Sequence, residues 1–174
     1  MPTVTEGKLA FTFPDTWNVT KYDEWPFYRS QFANCCAGNR AVDFLAFDPA
    51  SRTLWLIEVK DYRRHRRTKD QRIPLVEEIA IKARDTLAGI FAANLDDAYA
   101  EHHHATRSLS AAKIRVVLHL EQPATKSKLF PRDYDPADVQ QKLKQMVKPI
   151  DAHPGVTELS NMPRGLRWSA ESAP

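Results

Sequence analysis

The sequence has only two cysteines, Cys35 and Cys36, and they are adjacent. Neighbours in the chain cannot satisfy disulfide geometry, so no covalent framework is expected and the core must hold the fold alone. A cysteine-based zinc site is excluded too, because no second pair completes four ligands. These thiols are expected to be buried or half-buried. No apolar run approaches the ~18 residues needed to cross a bilayer, and the first residues lack the basic-then-apolar order of a secretory leader, which points to a cytoplasmic protein. Internal repeats and low-complexity tracts are missing as well, and no proline falls between Leu75 and Gln122. What is present is a chain of 174 residues with 43% hydrophobic and 27% charged residues, suited to one soluble domain.

The net charge of +3 is too mild to demand an anionic partner. Its distribution is more telling. Lys60, Arg63, Arg64, Arg66, Arg67, Lys69 and Arg72 stand against Asp61 and Asp70, a local excess of five positive charges, so the rest of the chain sums to −2. Taken alone, such a run reads as a solvated loop.

The patterning predicts a mixed α/β domain. Lys8–Phe13 alternates and is stopped by Pro14, as an edge strand would be. The aromatic segment from Trp17 to Phe32 has no clear period. Two apolar runs, Ala41–Phe47 and Thr53–Lys60, flank a turn of Asp, Pro and Ser and predict a hairpin covered on both faces. Residues 73–95 switch to helical spacing, with Val76, Ile79, Ala83, Leu87 and Ile90 on one side, Pro74 at the start and Asn94 at the exit. Glu78 and Lys82, four apart, read there as an exposed pair. Lys113–Leu120 is a β-branched strand, and Asp135-Pro136 opens a helix with Val139, Leu143, Met146 and Val147 on its apolar face. Short strands near 156–159 and 166–169 complete the sheet. The expected organisation is a single domain over 1–174, with a core at about 8–121, C-terminal elements at 135–169 and a mobile tail at 170–174. The loop from Glu101 to Ser110 is expected to be mobile too.

Charge inside the hairpin is the chemical signal. Asp43, Glu58 and Lys60 interrupt apolar strands, and buried ionised side chains are costly unless they pair or hold a metal. Pairing Phe47 with Thr53 or Leu54 sets Asp43 opposite Ile57 or Glu58, with α-carbons roughly 5 Å apart, and Lys60 shares a face with Glu58. Two carboxylates so placed repel unless a divalent cation or lysine lies between them, and oxygen ligands suit Mg²⁺ or Mn²⁺.

At these positions the chain resembles the PD-(D/E)XK nuclease superfamily. Asp43 and Glu58-Val59-Lys60 match its signature, Val42 stands where the name-giving proline would be, and the element order agrees over about Arg40 to Glu121. The resemblance implies a restriction-endonuclease-like core, a mixed central β-sheet flanked by helices. It implies a Mg²⁺-dependent nuclease cutting DNA phosphodiester bonds, with Asp43 and Glu58 holding the metal (Mg²⁺ or Mn²⁺) and Lys60 serving the attacking water. Asp23 or Glu24 is preferred over Glu6 as an additional acid. On this reading Arg63, Arg64, Arg66, Arg67, Lys69 and Arg72 grip the phosphate backbone, and two active sites for two strands suggest a homodimer. The alternative is a nucleic-acid-binding or assembly module with the same fold that does not cut. A third, weaker reading is a metal-binding regulator using His102-His103-His104, although three consecutive residues in a loop cannot all face one ion. Trp17, Trp55 and Trp168 read as packing residues, Trp25 as the one to test for base stacking, and His119 as a core histidine.

Overall fold

A computed structural model describes residues 1–64, 73–123 and 132–173. It is mixed α/β in three layers. The central layer is a five-stranded sheet of β3 (Asn18–Lys21), β4 (Phe44–Asp48), β5 (Thr53–Asp61), β6 (Lys113–Glu121) and β7 (Gly155–Thr157), in that spatial order. β3–β4–β5 pair antiparallel, and β5–β6–β7 pair parallel. The helices α1 (Leu75–Ala93), α2 (His102–Leu109) and α3 (Pro136–Val147) are the second layer. A three-stranded sheet, β1 (Thr3–Glu6), β2 (Leu9–Thr12) and β8 (Ser169–Ser172), is the third.

The alternation along β4 and β5 decides what packs where. Leu45, Phe47, Leu54 and Leu56 point to one face and join Ile79, Ala83 and Ile90 of α1 and Leu143 of α3 in the larger core. Phe44, Ala46, Ile57 and Val59 point to the other and meet Leu9, Phe11, Trp17 and Trp168 in the smaller one. Both faces are covered, which is why these strands read as nearly continuous apolar runs.

The hairpin turn is fixed by its own chemistry. Asp48 accepts the Ala50 N–H at 3.0 Å and the Ser51 hydroxyl at 2.8 Å, while Arg52 takes a left-handed φ of +49°. The resulting register pairs Phe47 with Leu54 and Phe44 with Ile57, as the sequence predicts. Helix α1 starts after Pro74, and α3 starts at an Asp135 side chain that accepts the Ala137 N–H. Gly89 of α1 is required, because a β-carbon there would occupy the place of the Tyr22 hydroxyl.

Several expectations are corrected. β2 is the central strand of the small sheet, paired on both sides, and not an edge. Residues 101–110 hold α2, anchored by the buried Ala105 and Ser108, in place of a mobile loop. The stretch assigned to a tail is largely β8, which closes the small sheet on β2 and does not extend the central one. The unassigned aromatic segment resolves into β3, a short 3₁₀ turn (Tyr22–Glu24) and a π-turn (Tyr28–Phe32), with Tyr22, Trp25 and Phe27 buried. Cys36 is exposed and Cys35 half-buried. No helix among the described residues is long and apolar enough to cross a membrane.

Candidate functional site

The register that pairs Phe44 with Ile57 carries Asp43, one residue before β4, to the level of Glu58. Glu58 and Lys60 alternate with Ile57 and Val59 and therefore lie on the α1 side of the sheet. There they meet two residues that the sequence reading placed in solvent, Glu78 and Lys82. Glu58 is 1% exposed, and its Oε1 accepts from Lys60 Nζ at 2.9 Å and from Lys82 Nζ at 2.5 Å. Lys60 also reaches Glu78 Oε1 at 2.9 Å. Glu78 and Lys82 flank the apolar stripe of α1, so one turn of helix delivers an acid and a base onto β5. Their i, i+4 spacing was visible in the sequence. Which side of the helix they occupy depends on how α1 lies across β5, a tertiary fact.

Asp43 is held from the backbone, with its Oδ2 accepting the Val59 N–H at 2.6 Å. Burial pushes its carboxyl up to about 8, and the negative charge of Glu58 adds to that, against the opposing pull of Lys82. Burial also works against the charged form of Lys60, but Glu58 and Glu78 outweigh it and hold its ammonium above the ordinary lysine value. With Asp43 protonated at neutral pH, the carboxylates of Glu58 and Glu78 are matched by the ammonium groups of Lys60 and Lys82. The cluster is a charge-balanced network at the end of the hairpin.

This makes stability pH-dependent with a definite sign. An unfolded Asp43 deprotonates near its ordinary value of 3.8, whereas the folded one stays protonated to about 8. Its contribution is therefore fully present below about 4 and is lost as the pH rises towards 8. Asp43→Asn is expected to flatten that fall. In urea titrations at several pH values, its midpoint should gain on the wild type as the pH goes from 5 to 8. An unchanged gap between the two proteins would refute the assignment.

Of the three acids considered as an additional member, Glu6 acts electrostatically on Asp43, raising its carboxyl. Asp23 and Glu24 lie in the 3₁₀ turn after β3, where Glu24 pairs with Lys21 at 2.8 Å. Arg63 is fixed by Asp61, through Nε at 2.9 Å and Nη2 at 2.7 Å, and Arg64 is exposed beside it. Arg66, Arg67, Lys69 and Arg72 lie outside the described residues. Trp25 is 2% exposed, with its Nε1 donating to Thr20 Oγ1 at 2.9 Å, so it is a core residue and not a stacking platform. The histidines open α2: Nδ1 of His103 meets the Ala100 carbonyl and Nδ1 of His104 meets Asn18 Oδ1. His119 is fully buried, with Nδ1 at 3.0 Å from Thr157 Oγ1.

As a donor set for Mg²⁺ or Mn²⁺ the cluster fits in one atom: Glu58 Oε2 is buried with no hydrogen-bond partner. The rest does not match, since Glu58 Oε1 already takes two ammonium groups and Asp43 Oδ2 accepts the Val59 N–H. Among the described residues no group of three or more His, Cys, Asp or Glu side chains is arranged to hold a metal ion. In this structure the carboxylate repulsion from which a metal was expected is met instead by Lys60 and Lys82 on Glu58.

The mixed sheet between helices and a second sheet defines the class as α/β. Comparison with known proteins narrows this further. The chain is 34% identical over 212 aligned positions to a cysteine-tRNA ligase of Neisseria meningitidis serogroup A / serotype 4A (strain DSM 15465 / Z2491), a match that takes in 99% of this chain and 30% of the ligase. The chain thus spans under a third of the relative it matches. Neither a family profile nor a solved structure matches it. The expectation of a DNA-cutting nuclease is corrected on this finding, because the similarity is to a tRNA ligase. The restriction-endonuclease-like description of the core gains nothing from the comparisons.

Proposed function

We propose that the chain is a non-cleaving, nucleic-acid-binding module whose target is RNA, tRNA foremost. The observation that carries this is the similarity of almost the whole chain to part of a tRNA ligase. The charge pattern supports it: a local excess of five positive charges lies between Lys60 and Arg72, the stretch of sequence that begins in β5 at the ion network. Such a segment neutralises phosphates and releases counterions, and RNA offers the same polyanion as DNA. The buried network of Asp43, Glu58, Lys60, Glu78 and Lys82 then has a structural task. It fixes the end of β5.

The test is anisotropy of a labelled tRNA transcript titrated with protein across a salt series, beside a DNA duplex of similar length. If four side chains of the run meet phosphates, log K should fall with log salt at a slope of about −3 to −4. Arg66→Ala with Arg67→Ala should reduce that slope by about 1.5, since each lost phosphate contact removes about 0.7–0.9. Tighter binding of tRNA than of DNA is the expected order. Absence of tRNA binding at low salt, or a double variant indistinguishable from wild type, would overturn the reading.

A further inference from the structure

The small sheet brings a second positive group to the start of the basic segment. β2 pairs with β8 so that Leu9 faces Ser172, and the Ala173 N–H donates to the Lys8 carbonyl at 2.9 Å. Lys8 and Ser172 therefore stand side by side at one end of that sheet. The end of β5 reaches the same place from the central sheet, and the Arg63 Nη1 donates to Ser172 Oγ at 3.1 Å. Between them lies an open recess of about 330 Å³ lined by Lys8, Asp61, Arg63, Arg64, Ser172 and Ala173.

Its chemistry is that of an anion seat. Three cationic side chains face one carboxylate, and that carboxylate is consumed: Asp61 accepts from Arg63 Nε and Nη2 and from the Arg63 N–H at 3.1 Å. Burial alone would raise the Asp61 carboxyl, but these bonds outweigh it and hold it below its ordinary value. The pairing clamps the Arg63 guanidinium in a single orientation across the two sheets, so no ordering cost remains when a ligand arrives. The Ser172 hydroxyl spends a lone pair on Arg63 and keeps its hydrogen to donate. Lys8 and Arg64, both exposed, line the recess and supply further positive charge.

We propose that this recess seats a single backbone phosphate of the bound nucleic acid, gripped by Lys8, Arg64 and the Ser172 hydroxyl against the clamped Arg63. The proposal rests on the nucleic-acid reading above and deepens it. It adds the N-terminal turn and the last strand to a surface that the sequence confined to residues 63–72.

The test uses the full chain and a short labelled single-stranded RNA. Lys8→Ala with Arg64→Ala should weaken binding about tenfold and lower the salt slope by about 0.7, the value for one phosphate on a single strand. Ser172→Ala removes no charge and should weaken binding about two- to tenfold with the slope kept. Lys142→Ala, which removes a positive charge from α3, should leave the slope unchanged. Arg63 is left intact, because its loss would strip Asp61 of its partner. Inorganic phosphate, followed by ³¹P line broadening, should bind the wild type weakly and the double variant not at all. If RNA binds but the double variant behaves like Lys142→Ala, the phosphate seat is overturned and the RNA reading stands. If phosphate binds and RNA does not, the recess serves a small phosphorylated ligand, and both the backbone assignment and the RNA reading fall.

Discussion

Glu58→Gln is expected to destabilise the protein by about 3–5 kcal/mol, the cost of leaving buried charges without their counter-charge. The glutamine keeps the shape of the side chain, so the loss reports electrostatics and not packing. Two ammonium groups share the one oxygen of Glu58, and both lysine side chains are mostly shielded, at 18% and 16% exposure for Lys60 and Lys82. Removing the acid leaves Glu78 to serve Lys60 and leaves Lys82 facing a neutral amide. Urea unfolding of Glu58→Gln should therefore show a lower midpoint at unchanged slope. Combining it with Lys82→Met should recover part of the loss, since an unmatched charge is replaced by an apolar chain of similar length. A drop below about 1 kcal/mol would mean that water reaches the lysines, and the network would then have no claim to fix the end of β5.

A comparable loss, about 3–5 kcal/mol, is expected from Phe11→Ala. Phe11 is fully buried and joins the two sheets: its ring lies 5.2 Å from that of Phe44 on β4, 5.1 Å from His119 on β6 and 6.0 Å from Trp168. Truncation opens a cavity where three aromatic partners converge, and neither sheet can move inward without breaking its own pairing. Thermal unfolding followed by near-ultraviolet circular dichroism checks this, because Trp168 and Trp17 belong to the same cluster. A loss under about 1 kcal/mol would show that the small sheet is only loosely docked on the central one.

Much of the architecture was legible because local pattern and tertiary placement agree in it. The turn chemistry at Asp48–Ser51 fixes the hairpin register, and the register alone places Asp43 level with Glu58. The stripe on α1 and the cap at Asp135 are likewise local signals that survive folding. The misread segments lack such agreement. Residues 170–172 look like a frayed end because their strand character comes from pairing with β2, more than 150 residues away in sequence. The polar start of α2, His102-His103-His104, reads as a loop because its helix is stabilised by contacts at Ala105 and Ser108 more than by periodicity. At the site, Asp43, Glu58 and Lys60 stood out as charges in apolar strands. Glu78 and Lys82 did not, because a helix normally carries such pairs on its wet side. A short signature of three charged residues was enough to suggest a chemistry. It was not enough to identify a nuclease, and the similarity to a tRNA ligase speaks against that activity.

The closing of the small sheet by β8 has an outcome in time as well as in space. While the polypeptide is being synthesised, β1 and β2 form a two-stranded ribbon whose free edge and apolar side stay open until residues 169–172 emerge. Phe11 and Leu9 meet their full set of neighbours only at that moment. The growing chain therefore exposes a sticky hairpin from the synthesis of β2 until that of β8, and a product cut short before β8 would be a substrate for chaperones and proteases even with its helical layer assembled.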